Sequence, residues 1–195
     1  ADMVAKEEAE FIETAETLVT TSCCPSFVDY IEKHQKDFIV NISPALSPMS
    51  ELAKEIRESN EKIVFIGPCI AKKMEAYKIR KVDYVLTFEE LASLFAAKGI
   101  EPSQLENLEV EGSFDGWNFA QSGGVANAVV NLCKKSLTIE KMDGLSEGNE
   151  LFKKAKTGKI DLIEGMACEG GCICGPGIMV NPLVSKANLK KMGIK

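Results

Sequence analysis

The sequence has little histidine, no long apolar run and no surplus of positive charge, and each of these absences argues against a class of function. Its one histidine, His34, lies in the charged stretch "IEKHQK", a pattern typical of a solvated surface side chain rather than a zinc ligand. No run of about 18 apolar residues is present, so no segment is expected to span a membrane. The formal net charge of -6 would repel a phosphate backbone. We therefore predict neither a membrane nor a nucleic-acid partner.

The cysteines of this chain indicate metal or redox chemistry. The N-terminal stretch "ADMVAKEEAEF" is acidic and lacks the apolar segment of a secretory signal, so a cytoplasmic location is expected. Seven cysteines are an odd number, and they are clustered rather than spread as in a disulfide framework. Two of them, Cys23 and Cys24, are adjacent, and neighbouring residues reach disulfide geometry only with strain. The two thiols must therefore serve another purpose.

Helical patterns alternate with short apolar segments along the chain. Helices are predicted at residues 3–19, 26–36, 47–60, 87–99, 125–135 and 148–157. Strands are predicted at residues 38–42 ("FIVNI"), 62–66 ("KIVFI"), 83–87 ("DYVLT"), 136–142 and 160–166 ("IDLIEGM"), whereas residues 100–122 are rich in loops. Such alternation is typical of an α/β fold with buried parallel strands.

Each cysteine cluster ends an apolar strand or begins a helix, which is where α/β folds place their ligands. A cubane iron–sulfur cluster needs four thiolates in a water-poor pocket, and Cys24, Cys69, Cys168 and Cys172 supply that number. The two glycines between the last pair would let the backbone approach an inorganic core. A zinc site and buried free thiols are the alternatives, although zinc favours paired CxxC spacings.

Three cysteine-containing segments, "TSCCPSF", "GPCIAKKME" and "EGMACEGGCICGPG", resemble in order and spacing the three signature loops of the [FeFe]-hydrogenase catalytic domain. The segments "NISPALSP" and "FAQSGGVANAV" resemble further parts of that family. The resemblance covers nearly the whole chain. It implies an α/β fold of two lobes with short parallel sheets flanked by helices, and a cofactor cleft between the lobes.

The resemblance also implies a cofactor and its ligands. Cys24, Cys69, Cys168 and Cys172 would bind a [4Fe–4S] cluster. Cys172 would in addition bridge to a diiron subsite that carries CO, cyanide and a dithiolate bridge, and the two parts together form the H-cluster. Cys23 would then be no ligand but the thiol that exchanges protons at the subsite.

Further positions of this chain match functional residues of the family. Ser43 matches a proton-relay serine, Lys72 a lysine that binds a cyanide of the subsite, and Glu75 the carboxylate that anchors its loop. Glu7 and Glu8 are both candidates for a relay glutamate upstream of Cys23. The residues expected to contact the cofactor are Phe119, Met166, Pro68, Ser47, Gly170 and Gly171. Cys133 is expected to be a buried structural thiol.

Some positions depart from the family pattern. Gly67 stands where a methionine is usual, Met49 replaces a glutamine, and Cys174 and Pro176 replace polar and glycine residues. These departures resemble the divergent, sensory branch of the family. Because position 1 is not methionine, residues 1–195 are expected to be a fragment of the H-cluster domain that lacks its N-terminal and C-terminal parts.

The sequence therefore predicts an [FeFe]-hydrogenase-like oxidoreductase that interconverts H2 with protons and electrons, with H2 sensing as a use. Its expected partners are H2, protons, a ferredoxin-like electron carrier or an attached iron–sulfur or signalling module, and maturation proteins. The alternative is a non-catalytic iron–sulfur assembly or electron-transfer protein related to hydrogenases. Cys23 and the paired glycines favour the first hypothesis, since the assembly branch tends to lack them. A third hypothesis is that the fragment holds no metal without maturation.

Overall fold

The computed structural model describes residues 1–58, 61–106, 108 and 112–192, and it is rich in short helices. The α-helices are α1 (Asp2–Thr14), α2 (Pro25–His34), α3 (Pro48–Ile56), α4 (Ala71–Ile79), α5 (Phe88–Lys98), α6 (Phe114–Asn118), α7 (Gly124–Leu132), α8 (Gly148–Ala155) and α9 (Pro182–Met192). Within the described ranges, no helix has the length and apolar character needed to cross a bilayer.

Two parallel sheets divide the fold into two lobes. The strands are β1 (Val19–Thr20), β2 (Val64–Gly67), β3 (Tyr84–Thr87), β4 (Ile139–Asp143) and β5 (Leu162–Met166). The larger lobe contains the sheet β1-β5-β4, in which Leu162 lies opposite both Val19 and Ile139. The smaller lobe contains the pair β2-β3, with Val64 opposite Tyr84. The prediction of an α/β fold with short parallel sheets flanked by helices is confirmed.

The central strand β5 of the larger lobe is buried along its whole length. One apolar cluster, formed with α1 and α7, covers one face and includes Ile12, Val129 and Leu162. A second cluster, formed with α2 and α8, covers the other face and includes Phe27 and Ile163. Strands buried on both faces read as continuous apolar runs, which is why "IDLIEGM" is recognisable in the sequence. Each large side chain buried here contributes about 1.5–3 kcal/mol.

The smaller lobe has a smaller core, which includes Met49, Ala53, Ala76 and Val82. Two of its helices, α3 and α5, begin as the sequence predicts, whereas α4 was not predicted. The Ser47 side chain accepts a hydrogen bond from the backbone of α3, and Pro48 occupies the first turn. At α5, Thr87 and Glu90 form a capping box, and Gly99 ends the helix with a φ of 65°.

Several predicted boundaries are wrong. The segment "FIVNI" is not a strand, because residues Lys36–Asn41 form a 3-10 helix whose Val40 is 89% exposed. The first helix ends at Thr14 instead of residue 19, since Val19 and Thr20 pair with β5. The helix predicted at 47–60 ends at Ile56. Residues 59 and 60 of the predicted range lie outside the described ranges.

Two further findings concern the predicted loops and thiols. Residues 114–118 of the predicted loop region form α6, with Ser113 as its N-cap. Residues 107 and 109–111 of that loop region lie outside the described ranges. Cys133 is half-buried at the end of α7, so it is less enclosed than predicted. His34 is exposed, as predicted.

Candidate functional site

The three cysteine loops follow the carboxyl ends of three parallel strands. Cys24 is the N-cap residue of α2, shortly after β1, and Pro25 begins that helix. Cys69 lies between the end of β2 and the start of α4. Cys168 follows β5, and Cys172 begins a 3-10 turn. The fold therefore brings segments that are remote in sequence to one edge of each sheet, as ligand sites in α/β folds require.

A cleft of about 650 Å³ opens between the two lobes. Of the predicted site residues, those lining it are Cys23, Cys24, Pro68, Cys69, Lys72, Phe119, Met166 and Cys172. The predicted residues that do not line it are Ser43, Ser47, Glu75, Cys168, Gly170 and Gly171. Most of its other wall residues are apolar, among them Phe65, Phe88 and Met179. The cleft thus has few polar side chains, namely its thiols, Lys72, Ser185 and Asn188.

The four predicted ligand thiols lie within electrostatic reach of one another. Burial in the first place, and then the thiols of Cys24 and Cys69, raise the pKa of the Cys172 thiol to about 12. Burial is also the main cause of the raised pKa of Cys168, to which Cys24, Cys69 and Cys174 add. The pKa of Cys24 is raised by burial first and by Cys69 next in the same direction. Cys168 therefore belongs to this group although it does not face the open cleft.

These thiols fit a cluster better than a single ion. Among the described residues, no three His, Cys, Asp or Glu side chains converge closely enough to hold one metal ion. A structural zinc site needs four ligands around one ion, whereas a cubane takes its four thiolates at separate irons. At neutral pH, thiols with raised pKa values give up their protons only when a metal binds them. The donor set, four thiols in an apolar setting, is the one that iron–sulfur clusters use.

Cys23 has an environment unlike that of a surface thiol. It is 8% exposed, and burial is the main cause of a pKa well above the ordinary value. Nearby acidic groups raise the pKa further, while Lys72 lowers it. The Cys23 side chain therefore carries its proton at neutral pH, yet it faces the same cleft as Cys24.

Lys72 is held at the cleft wall by a buried network. Its ammonium lies 2.6 Å from Oε2 of Glu75 and donates a 3.1 Å hydrogen bond to the carbonyl of Cys23. Oε1 of Glu75 accepts hydrogen bonds from the hydroxyls of Ser47 and Ser50, the latter at 2.7 Å. Lys72 and Glu75 are only 8% and 7% exposed. Glu75 and Ser47 thus do not line the cleft themselves but fix the position of the Lys72 ammonium.

The structure distinguishes between the two candidate relay glutamates. Glu8 is fully buried, whereas Glu7 is half-exposed. Oε1 of Glu8 accepts a 3.4 Å hydrogen bond from the backbone of Ser22, and Oε2 has no hydrogen-bond partner among the described residues. Burial raises the pKa of Glu8 to about 7, although the nearby hydroxyl of Ser43 favours its charged form. Its burial and its pKa of about 7 therefore make Glu8, rather than Glu7, the candidate relay glutamate.

The glycines of the third loop contact protein atoms rather than the open cleft. Gly170 and Gly171 have φ values of 84° and 89°, which favour glycine. A Cβ at Gly171 would lie 2.5 Å from the backbone nitrogen of Ser122, and one at Gly170 would lie 2.6 Å from the sulfur of Cys174. The glycines therefore let the third loop pack against residues 120–122.

Glu164 is a site residue that the sequence analysis missed. This acid lies on β5 and is 1% exposed. Its carboxylate accepts hydrogen bonds of 2.7 and 2.8 Å from the backbone of Gly123 and Ala126, at the start of α7. It anchors the segment that carries Phe119 and contacts the third loop. A lone acid within the apolar run "IDLIEGM" is the signal that could have identified it.

The structure also shows what surrounds three of the residues that depart from the family pattern. A Cβ at Gly67 would lie 2.7 Å from the ring of Phe65, which lines the cleft. The ring of Phe65 thus occupies space next to Gly67. Met49 lies at the cleft as well. Cys174 is half-buried beside Gly170.

Known iron hydrogenases are similar to this chain in sequence and in fold. The family model described as "Iron only hydrogenase large subunit, C-terminal domain" matches residues 1–176. Iron hydrogenase 1 of Clostridium pasteurianum is 29% identical over 100% of this chain and 44% of its own length. The periplasmic [Fe] hydrogenase large subunit of Nitratidesulfovibrio vulgaris is 30% identical over 86% of this chain and 53% of its own. The chain spans about half the length of these relatives.

A second group of relatives carries a different description. A cytosolic Fe-S cluster assembly factor NAR1 homolog of Schizosaccharomyces japonicus is 23% identical over 84% of this chain and 50% of its own length. Among solved structures, a variant of [FeFe]-hydrogenase HydA1 from Chlamydomonas reinhardtii has a TM-score of 0.74 and 21% identity, over 96% of this chain and 72% of that one. At this identity the structural similarity supports the fold alone.

Proposed function

We propose that this chain, which belongs to the family of the iron-only hydrogenase large subunit, C-terminal domain, interconverts H2 with protons and electrons. In this proposal it is an H-cluster domain. The observation that carries the proposal is the meeting of three cysteine loops, the buried thiol of Cys23 and the buried Lys72 at one apolar cleft. A simple iron–sulfur carrier would need the four ligand thiols but neither of the other two groups.

In this proposal Cys24, Cys69, Cys168 and Cys172 would hold a [4Fe–4S] cluster, and Cys172 would also help to hold the diiron subsite. When bound, these metals supply a store of electrons and a Lewis-acidic iron for H2. The apolar walls formed by Phe119 and Met166 exclude water from the place where the subsite would lie.

Each remaining side chain has a defined part in this proposal. Cys23 holds a proton at its sulfur and can give it to, or take it from, a base in the cleft. Lys72 offers its ammonium to an anionic ligand such as cyanide, a charge-assisted contact. Glu75 and Ser47 keep that ammonium in place. Pro68 and the glycines Gly170 and Gly171 shape the loops that present the thiols.

The proton route continues away from the cleft through Glu8. Oε1 of Glu8 accepts a hydrogen bond from the backbone of Ser22, the residue before Cys23, so Glu8 lies close to Cys23. A carboxyl with a pKa of about 7 binds and releases protons at neutral pH with little cost. The Ser43 hydroxyl lies beside this carboxyl and can both accept and donate a proton. Cys23, Glu8 and Ser43 would thus form a relay.

The departures at Gly67, Met49, Cys174 and Pro176 support H2 sensing as the use of this chemistry. Electrons would pass to a ferredoxin-like carrier or to an attached iron–sulfur or signalling module, and maturation proteins would deliver the subsite. A cytoplasmic location belongs to the same proposal.

An assembly factor without H2 chemistry is the second candidate, because relatives described as cytosolic Fe-S cluster assembly factors also match the chain. One experiment separates the two. The chain is reconstituted anaerobically with iron and sulfide, a synthetic diiron subsite is added, and exchange of D2 with water protons is followed by mass spectrometry. We expect formation of HD in the wild type and a large loss in Cys23→Ala. A loaded cluster without HD formation would favour the assembly factor.

A further inference from the structure

Gly67, the last residue of β2, has no backbone reason to be a glycine. It pairs with Thr87 of β3 in a regular parallel ladder, and it is not among the residues with a positive φ. Other residues adopt such an extended conformation without strain. Gly67 is also buried, at a position where parallel strands usually carry an apolar side chain. The absence of a side chain must therefore be explained by the space around it.

The ring of Phe65 fills that space. A Cβ at Gly67 would lie 2.7 Å from Cε1 and 2.8 Å from Cζ of this ring, and the next nearest atom is Cδ1 of the same ring. Residues two positions apart in a strand point to the same face of the sheet, so Phe65 reaches position 67 by leaning along β2. The outer end of the ring therefore takes the volume that a side chain at residue 67 would have.

The backbone next to Gly67 is held on its other side. The carbonyl of Pro68 accepts a 2.9 Å hydrogen bond from the N–H of Gly177, in the segment that follows the third cysteine loop. A Cβ at Gly177 would lie 2.6 Å from Cβ of Thr87, so this segment is also packed tightly against β3. Gly67 cannot move away from the ring of Phe65 without disturbing these contacts.

The half-buried side chain of Phe65 contacts two different parts of the molecule. It packs against the apolar core of the smaller lobe, which includes Met49 and Ala76. It also lines the 650 Å³ cleft, together with Pro68 and Cys69 of the second cysteine loop. The ring thus forms part of the boundary between the core of the smaller lobe and the cleft.

We propose that Phe65 closes the cleft wall beside the second cysteine loop in place of a side chain at residue 67, and that its ring limits the room for small apolar gas molecules there. Removal of the ring would leave an apolar void that opens into the cleft, because Gly67 has no side chain to fill it. The inference rests on the proposed function only for the identity of the gas, which is H2.

The first test is a double-variant cycle in the metal-free protein. Gly67→Leu alone displaces the ring of Phe65 and should lower the Tm by about 2–12 °C. In the Phe65→Ala background the same change fills the void and should raise the Tm instead. Phe88→Ala is the matched control, because Phe88 also lines the cleft and is 41% exposed. In that background Gly67→Leu should remain destabilising.

The second test measures the void with xenon, which binds to empty apolar cavities. Amide resonances of β2 and of Cys69 are followed in isotope-labelled, metal-free protein as the xenon pressure is raised. We expect larger xenon-induced shifts in Phe65→Ala than in the wild type. Adding Gly67→Leu to Phe65→Ala should return the shifts to the wild-type size.

Two results would overturn the proposal. One is a fall in Tm of equal size when Gly67→Leu is introduced into the wild type and into Phe65→Ala. The other is a xenon response in Phe65→Ala that equals that of the wild type. Neither measurement needs a metal or H2. A chain that passes both tests but forms no HD would contradict the proposed function alone, so the two failures are distinguishable.

Discussion

The ammonium of Lys72 donates a 3.1 Å hydrogen bond to the backbone carbonyl of Cys23 and thereby joins the first and second cysteine loops across the cleft. The contact links the two lobes at the point where the candidate ligands meet. It depends on Glu75, whose carboxylate balances the buried ammonium. The stability of the fold and the shape of the site are therefore coupled through one ion pair.

Removing one charge of this ion pair should lower the free energy of unfolding strongly, whereas removing both charges should lower it much less. Lys72→Met leaves the Glu75 charge buried without its partner, which costs about 3–5 kcal/mol in the free energy of unfolding. The double variant Lys72→Met, Glu75→Gln should recover much of that loss. Denaturant unfolding measures both values. Lys73→Met, in an exposed pair with Glu90, is the control and should cost less than about 1 kcal/mol.

The buried acid Glu8 should make stability depend on pH in a defined direction. Its pKa is raised from 4.5 to about 7 by burial, so the folded protein binds this proton more tightly than the unfolded chain does. The contribution of Glu8 therefore favours the folded state most below about pH 4.5 and is lost as the pH rises towards 7.

Glu8→Gln should remove this dependence. We expect the variant to gain stability over the wild type, by about 2–3 kcal/mol, as the pH rises from 4.5 to 8. Denaturant unfolding at several pH values gives the difference. Glu7→Gln, on the half-exposed neighbour, should show no such trend. A constant difference between Glu8→Gln and the wild type at all pH values would show that Glu8 has an ordinary pKa.

Gly171 and Gly99 offer a matched pair of substitutions. Both have positive φ, 89° and 65°, but only Gly171 faces backbone atoms within 3 Å of a new Cβ. Gly99→Ala meets open space and should cost about 1–2 kcal/mol for its backbone conformation. Gly171→Ala should cost several kcal/mol more, because the third loop must move away from residues 120–122. Thermal and denaturant unfolding compare the two. Equal losses would mean that the contact is unimportant.

Glu164→Gln should weaken the start of α7 without unfolding the chain. The amide keeps one acceptor oxygen but brings its NH2 group against a backbone N–H, so one of the two hydrogen bonds is lost. We expect a loss of about 1–3 kcal/mol in the free energy of unfolding. Hydrogen exchange should become faster at residues 123–126 than in α8, to which Glu164 makes no hydrogen bond. Uniform acceleration across the chain would contradict a local role.

The features that could be predicted from the sequence are those that local patterns determine. "KIVFI" and "IDLIEGM" are apolar runs with few alternatives, and both contain strands. The caps at Ser47 and Thr87 depend on residues three positions apart. In contrast, "FIVNI" has the composition of a strand but only one bridge partner, between Thr20 and Ile42, so it folds as a 3-10 helix.

Tertiary packing decides the rest. Glu7 and Glu8 are neighbours of the same type, and only the face of α1 that packs on the larger lobe distinguishes the buried acid from the half-exposed one. Cys168 and Cys172 share a loop, yet only Cys172 faces the cleft. The Lys72, Glu75 and Ser47 network joins α3 to α4, and no local pattern reveals such a contact.

The most direct test of the central claim is the iron and sulfide content after anaerobic reconstitution, measured for the wild type, Cys168→Ser, Cys23→Ala and Cys133→Ser. Four thiols from three loops should bind one cubane, so we predict about four irons per chain, with the matching spectrum, in the wild type, Cys23→Ala and Cys133→Ser. Cys168→Ser should lose that spectrum. Full iron content in Cys168→Ser, or its loss in Cys23→Ala, would contradict the assignment of ligands and proton carrier.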